Sequence, residues 1–147
     1  RTPGIDQLRD ALENLRLPAR VEIFPGPPLS CLDAAHTPES MASLRLALEE
    51  IEFPQPRALI FSLSSDKRRE EVLAEAASIS DEIIFTLADE TRSIPPAELR
   101  DALGRGQVIE DPLEAIEHAR HGGLNPIITG SFYLAGALRP HLRARSE

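Results

Sequence analysis

The chain is poor in aromatic and sulfur side chains. Of its 147 residues only 4% are aromatic, with no Trp and a single Tyr. A core without large rings is built from Leu, Ile, Val and Ala, the composition of a parallel sheet covered by helices. There is one cysteine, Cys31, in a short apolar run. Neither an internal disulfide nor a cysteine-based metal site can form, which fits a reducing compartment. No apolar run approaches membrane-spanning length, and the first residues include Arg1, Asp6 and Arg9 rather than an apolar leader. A soluble cytoplasmic protein without a membrane partner is expected. No Met precedes Arg1, so the chain is expected to be part of a longer or trimmed protein.

Positive charge is also scarce. Lys and Arg number 16 against 24 Asp and Glu, a net charge of −8. A nucleic-acid face needs a basic stripe, so that class of partner is not expected. The one basic cluster, Arg139, His141, Arg143 and Arg145, reads as favourable charge at a helix C-terminus or as a solvated tail. Three signatures are missing: the Gly-x-x-x-x-Gly-Lys phosphate loop, the Gly-x-Gly-x-x-Gly dinucleotide turn and the Gly-x-Ser-x-Gly nucleophile elbow. The chain therefore lacks the usual means of holding a triphosphate alone, and hydrolase chemistry is not indicated. Its four histidines have no zinc spacing with carboxylates, so no metal site is expected in this domain.

What is present is an alternation of short apolar runs and helical stripes. Residues 1–147 are long enough for one domain with one core. A helical stripe runs from Ile5 to Leu15, and Val21–Phe24 reads as extended. Pro25-Gly26-Pro27-Pro28 is a rigid turn leading to a strand at Leu29–Asp33, so these two runs suggest a hairpin-like pair at a sheet edge. Buried strands are then expected at Ala58–Leu63 and Glu82–Thr86, a short strand at Gln107–Ile109 and a last strand at Asn125–Thr129. Helices are expected at Glu39–Ile51, Arg68–Ala77, Ala97–Leu103, Asp111–Ala119 and Phe132–Leu138. The predicted fold class is α/β: a mostly parallel, Rossmann-like sheet with helices on both faces and an antiparallel edge strand.

The most informative stretch is Leu29 to Ser40. An apolar strand ends at Asp33, two small residues follow, then His36, then Thr37 as N-cap with Pro38 at the first helical position. Asp33 and His36 thus sit in a strand-to-helix turn, the edge where open α/β sheets bind ligands. In a parallel sheet the turns Ser64–Lys67, Asp89–Arg92 and Thr129–Ser131 reach that same edge. Ser131, behind Gly130 at a helix start, suits an anion or is a plain N-cap. Lys67 suits phosphate or is a solvated partner of Asp66. Arg92 can clamp a carboxylate, or pairs with Asp89 or Glu90. Arg20, before the edge strand, reads by itself as a surface residue.

Four segments, in this order, carry a resemblance: Leu17-Pro18-Ala19-Arg20-Val21-Glu22, Leu32-Asp33-Ala34-Ala35-His36-Thr37-Pro38, Ser65-Asp66-Lys67 and Ile128-Thr129-Gly130-Ser131-Phe132-Tyr133-Leu134. Together they resemble the C-terminal domain of the folylpolyglutamate synthase / dihydrofolate synthase family of the Mur ligase superfamily. The chain departs from that pattern at Ala19 and Ala34, where the family has Gly, and at Thr37, where it has Asn. Thr37 keeps a side-chain oxygen able to cap a helix.

The resemblance implies an ATP-dependent ligase in folate biosynthesis. Such an enzyme phosphorylates a folate or dihydropteroate carboxylate and joins L-glutamate to the resulting acyl phosphate. It implies ATP and Mg2+ held mainly by a larger N-terminal ATPase domain, with this domain closing over the nucleotide and inactive alone. By position, Arg20 and Asp33 resemble ATP contacts, and His36 matches a histidine near the reaction centre. Lys67 and Ser131 match positions facing the cleft, for glutamate or phosphate. Arg92 lies where related Mur ligases hold an amino-acid carboxylate. A peptidoglycan-type Mur ligase domain and a non-catalytic α/β binding module are the alternatives.

Overall fold

A computed structural model describes residues 4–7, 21–64 and 68–145. Residues 5–7 are helical, and the rest of the helix expected to Leu15 lies outside the described residues. The strands are β1 (Glu22–Phe24), β2 (Ser30–Leu32), β3 (Arg57–Phe61), β4 (Glu82–Phe85), β5 (Gln107–Val108) and β6 (Asn125–Thr129). The helices are α1 (Pro38–Glu50), α2 (Arg69–Ile79), α3 (Pro96–Leu103), α4 (Pro112–His121) and α5 (Phe132–Arg145).

Among the described residues the strands form one six-stranded sheet in the order β1-β2-β6-β3-β4-β5. β1 pairs antiparallel with β2 as the expected edge hairpin, and the other pairings are parallel. This is the α/β architecture expected from the alternation of elements.

Both faces of the sheet are covered. Along β3 the side chains alternate: Leu59 and Phe61 join one cluster, Ala58 and Ile60 the other. Met41, Leu44 and Leu48 of α1, Val72, Leu73 and Ala76 of α2 and Leu99 of α3 cover the first face. Ala115, Ile116 and Ala119 of α4 and Leu134, Leu138 and Leu142 of α5 cover the second. A strand buried on both sides has no polar alternation to show, which is why these runs read as continuously apolar. No helix among the described residues is long and apolar enough to cross a membrane.

The register aligns the carboxyl ends of the strands. Leu32 pairs with Ile128, Phe61 with Thr129, and Phe61 with Phe85. The residues that follow these ends therefore leave the sheet at nearly one level. The last helix departs from expectation by running past Leu138, through Pro140, to Arg145. Proline removes one backbone donor, but Leu138 and Leu142 bury the same stripe on either side of it. The basic cluster on this helix is partly tied down, with Arg139 3.0 Å from Glu22 and Arg145 3.4 Å from Glu117.

The opposite edge is held by one buried amide. Asn125 Oδ1 accepts the Leu29 N–H at 2.9 Å, and its Nδ2 donates to the Pro56 carbonyl at 2.9 Å. One side chain thus satisfies backbone groups from two proline-rich connections. Asn125→Ala leaves the Leu29 N–H without its partner and removes one of two donors to the Pro56 carbonyl, which keeps the Asn125 backbone N–H at 2.9 Å. It should lower unfolding free energy by about 1–3 kcal/mol in urea denaturation. A loss below about 0.5 kcal/mol would show that the two connections do not depend on it.

Candidate functional site

Four turns meet on the rim at the carboxyl ends of the strands. The first follows β2. Asp33 continues the ladder by donating its N–H to the Ile128 carbonyl at 3.0 Å. Its Oδ2 accepts the Ala35 N–H at 2.9 Å, the short loop that Asp favours in turns. Thr37 then caps α1 as expected, in a reciprocal capping box. Its Oγ1 accepts the Ser40 N–H at 3.0 Å, and Ser40 Oγ accepts the Thr37 N–H at 2.9 Å. Ser40 Oγ also accepts the His36 N–H at 3.0 Å, which ties the histidine to the helix start. Ala34 does not take a positive φ, so it fits this turn without strain.

The second turn follows β6 and locks onto the first. The Ala35 carbonyl accepts the Gly130 N–H at 2.8 Å and the Thr129 hydroxyl at 3.2 Å. Gly130 has φ +107, and a Cβ there would lie 2.1 Å from the Ser62 carbonyl oxygen and 2.8 Å from the Phe61 ring. Only glycine fits. Ser131 follows as the N-cap of α5: its Oγ accepts the Tyr133 N–H at 3.0 Å and the Leu134 N–H at 3.4 Å. The buried Ser131 hydroxyl therefore has a structural task first, and its remaining contact is Ser64 Oγ at 3.3 Å.

The third and fourth turns follow β3 and β4. Ser64 belongs to the turn after β3; Lys67 of the same turn lies outside the described residues, as does Arg20. The loop after β4 is stitched to β3: Ser62 Oγ accepts the Ala88 N–H at 3.3 Å and donates to Ser93 Oγ at 3.4 Å. Asp89 Oδ1 accepts the N–H groups of Thr91 and Arg92 and the Thr91 hydroxyl, at 2.9, 3.0 and 2.8 Å. These bonds, the Thr91 hydroxyl foremost, hold the Asp89 pKa below its ordinary value. Asp89 thus binds the Arg92 backbone, and the Arg92 guanidinium goes elsewhere. It stacks over the Tyr133 ring with its carbon 4.9 Å from the centroid, and donates from Nη1 to the Tyr133 hydroxyl.

The rim therefore gathers His36, Asp33, Arg92 and Ser131 on directly bonded turns. His36 Nδ1 lies 3.0 Å from the Ala34 carbonyl, so the proton of the neutral ring belongs on Nδ1 and Nε2 is left as an acceptor. Its ring packs against Phe132 at 5.1 Å between centroids. Sequence reasoning placed Phe132 and Tyr133 in the closing helix and assigned them nothing. Both are exposed on the rim, at 57% and 40%, each in contact with a candidate site residue from another turn. The available clue was two adjacent aromatics directly behind a Gly-Ser turn in a chain with so few rings.

Asp33 is the electrostatically unusual group. It is 3% exposed, and its Oδ1 has no hydrogen-bond partner among the described residues. Burial pushes its pKa up, and the Ala35 N–H bond pulls it part of the way back. An acceptor oxygen held out of water with no donor is suited to a ligand that brings hydrogen bonds of its own.

The matching family is described as Mur ligase, glutamate ligase domain, and its model covers residues 19–131, including all four turns. The chain belongs to that family. Within it, the likeness is to folylpolyglutamate synthases. The enzyme from Lacticaseibacillus casei is 30% identical over 138 residues, covering 92% of this chain and 32% of that protein. The structure of the Mycobacterium tuberculosis enzyme matches with a TM-score of 0.76 at 26% identity, over 86% of this chain and 32% of that one. The Thermotoga maritima enzyme matches with a TM-score of 0.73 at 29% identity, over 97% of this chain and 34% of that one. The chain thus spans about a third of the length of these relatives.

Two measurements test the site's construction. Gly130→Ala should cost roughly 3 kcal/mol or more, from the left-handed backbone and the clash with a carbonyl. Gly104 also has a positive φ, +85, but nothing within 4 Å of a Cβ position; Gly104→Ala should cost only about 1 kcal/mol. Equal losses in denaturant titrations would contradict the steric argument. For Asp33, the raised native pKa means the folded state holds this proton more tightly than the unfolded chain. Its ionisation therefore removes stability as pH rises from the ordinary carboxylate range through the native value. Asp33→Asn has no such proton, so its stability relative to wild type should improve as pH rises above the ordinary carboxylate range. A constant difference across that rise would show that Asp33 is not destabilised by burial.

Proposed function

We propose that this chain supplies one side of the active site of an ATP-dependent amide ligase, which joins L-glutamate to a carboxylate of a folate or dihydropteroate. The observation that carries the reading is the rim itself: a buried carboxylate with one unpartnered oxygen, a histidine with a free acceptor nitrogen and an arginine, on mutually bonded turns of a glutamate ligase domain. The Mycobacterium tuberculosis relative was solved with ADP and AMPPCP, which supports a nucleotide as the energy source. The reaction passes through an acyl phosphate: the glutamate amine forms the C–N bond, the C–O bond to phosphate breaks, and the amine gives up a proton.

The residues present fit a nucleotide better than a metal. Asp33 Oδ1 is an acceptor in need of donors, as sugar hydroxyls would provide, and Arg20 is the second proposed ATP contact. Among the described residues no group of three or more His, Cys, Asp or Glu side chains could hold a metal ion. No residue here is assigned to Mg2+; we place that ion with a larger N-terminal ATPase domain, the partner over which this one closes.

Each remaining candidate has a proposed task, for Lys67 on its sequence position alone. His36 Nε2 can accept a hydrogen bond from the incoming amine. The Arg92 guanidinium can take a carboxylate of glutamate, and Lys67 a phosphate or carboxylate. Ser131 orders the start of α5, and its hydroxyl faces the turn that carries Ser64. None of these is a strong base. The contribution is placement of amine and acyl phosphate, and exclusion of water that would hydrolyse the latter. The domain alone is therefore expected to fold without ligating. The single buried Cys31 suits the reducing cytoplasm to which we assign the enzyme.

The test is phosphate release by the full-length enzyme, with dihydropteroate and tetrahydrofolate compared as acceptors. His36→Ala and Asp33→Ala should each lower glutamate-dependent turnover by about a hundredfold or more. Circular dichroism should show both variants folded. Wild-type rates in both would remove the rim from the reaction.

A further inference from the structure

Phe132 and Tyr133 are adjacent at the start of α5, and each holds one candidate residue from a different turn. Phe132 carries the His36 ring at 5.1 Å, inclined by 53°. Tyr133 carries the Arg92 guanidinium at 4.9 Å and accepts a hydrogen bond from its Nη1. The helix start is itself fixed, because Ser131 caps it and Gly130 is bonded to Ala35. His36 and Arg92, 56 positions apart in sequence, are thus spaced by neighbouring residues of one helical turn.

Arg92 is constrained from the other side too. Asp89 fixes its backbone N–H, and Ser62 and Ser93 fix the loop. Among the described residues no carboxylate forms an ion pair with its guanidinium. One edge of the guanidinium is used by Tyr133, leaving N–H donors for a planar acceptor. The exposure of both rings is likewise unexplained by packing, since large apolar side chains on this fold are otherwise mostly buried.

Building on the ligase reading, we infer that Phe132 and Tyr133 are positioning residues that set the span between His36 and Arg92, and so select the acidic amino-acid substrate by its length. A substrate reaching both must carry an amine at one end for His36 and a carboxylate at the other for Arg92. Removing one methylene, as in aspartate, breaks one of the two contacts while the rings hold both partners in place. A guanidinium released from Tyr133 would follow the shorter substrate, and discrimination would fall.

Steady-state kinetics of the full-length enzyme with L-glutamate and L-aspartate test this. Tyr133→Leu, which loses ring face and hydroxyl, should raise KM for glutamate about tenfold, with kcat falling less than KM rises. Tyr133→Phe, which keeps the ring, should raise it only about threefold. In Tyr133→Leu the preference for glutamate over aspartate should narrow, and KM for ATP should stay at its wild-type value. Because Tyr133 is 40% exposed, its variants should melt with wild type in circular dichroism. Unchanged KM for glutamate in both variants overturns the inference. So does a parallel rise in KM for ATP, which marks general disruption. Those results presuppose an active wild type; a wild type without glutamate-dependent phosphate release overturns the ligase reading, and this inference with it.

Discussion

The Ala35 carbonyl is the point on which the rim depends. It accepts hydrogen bonds from the Gly130 N–H and the Thr129 hydroxyl, and so joins the turn after β2 to the turn after β6. The bond can form only because Gly130 has no side chain: a Cβ there would lie 2.1 Å from the Ser62 carbonyl oxygen and 2.8 Å from the Phe61 ring. One missing Cβ thus brings three strand ends within reach of each other. Without that approach the Asp33 turn and the α5 start would separate, and His36 would lose its contact with Phe132.

The rest of the rim is graded around that point. Backbone groups near it are satisfied locally by short polar side chains: Thr37 and Ser40 at α1, Ser131 at α5, and Asp89 and Ser93 in the loop after β4. These bonds rigidify the turns without using their larger side chains. His36, Arg92, Phe132 and Tyr133 remain exposed on a fixed frame. Asp33 is the exception, buried and incompletely bonded, and a site that must desolvate a ligand commonly keeps one such group. The frame is hydrogen-bonded on the sheet side and exposed on the other, which suits the proposed ligase reading, in which this domain closes onto another.

Much of this was legible in the sequence. Continuous apolar runs such as Leu59-Ile60-Phe61 and Ile127-Ile128 fixed the buried strands, and Thr37-Pro38 and Asp111-Pro112 marked the helix starts. Once the strands were parallel, convergence of the four turns followed from geometry. Other features depend on tertiary packing and leave little local trace. The length of α5 past Pro140 reflects Leu142 finding the same apolar face as Leu138. The choice of Tyr133 over Asp89 as the partner of Arg92 depends on a contact across 41 positions. The exposure of Phe132 runs against its hydrophobicity and can be known only from the fold.

The central claim is that these turns are one face of a ligand cleft, and hydrogen exchange reports on it directly. In the full-length enzyme, AMPPCP with a folate acceptor should slow exchange together in residues 33–37, 88–93 and 129–133, and leave the opposite edge at Gln55 and 122–124 unchanged. Slowing confined to that opposite edge, or none in any of the three rim segments, would contradict the account.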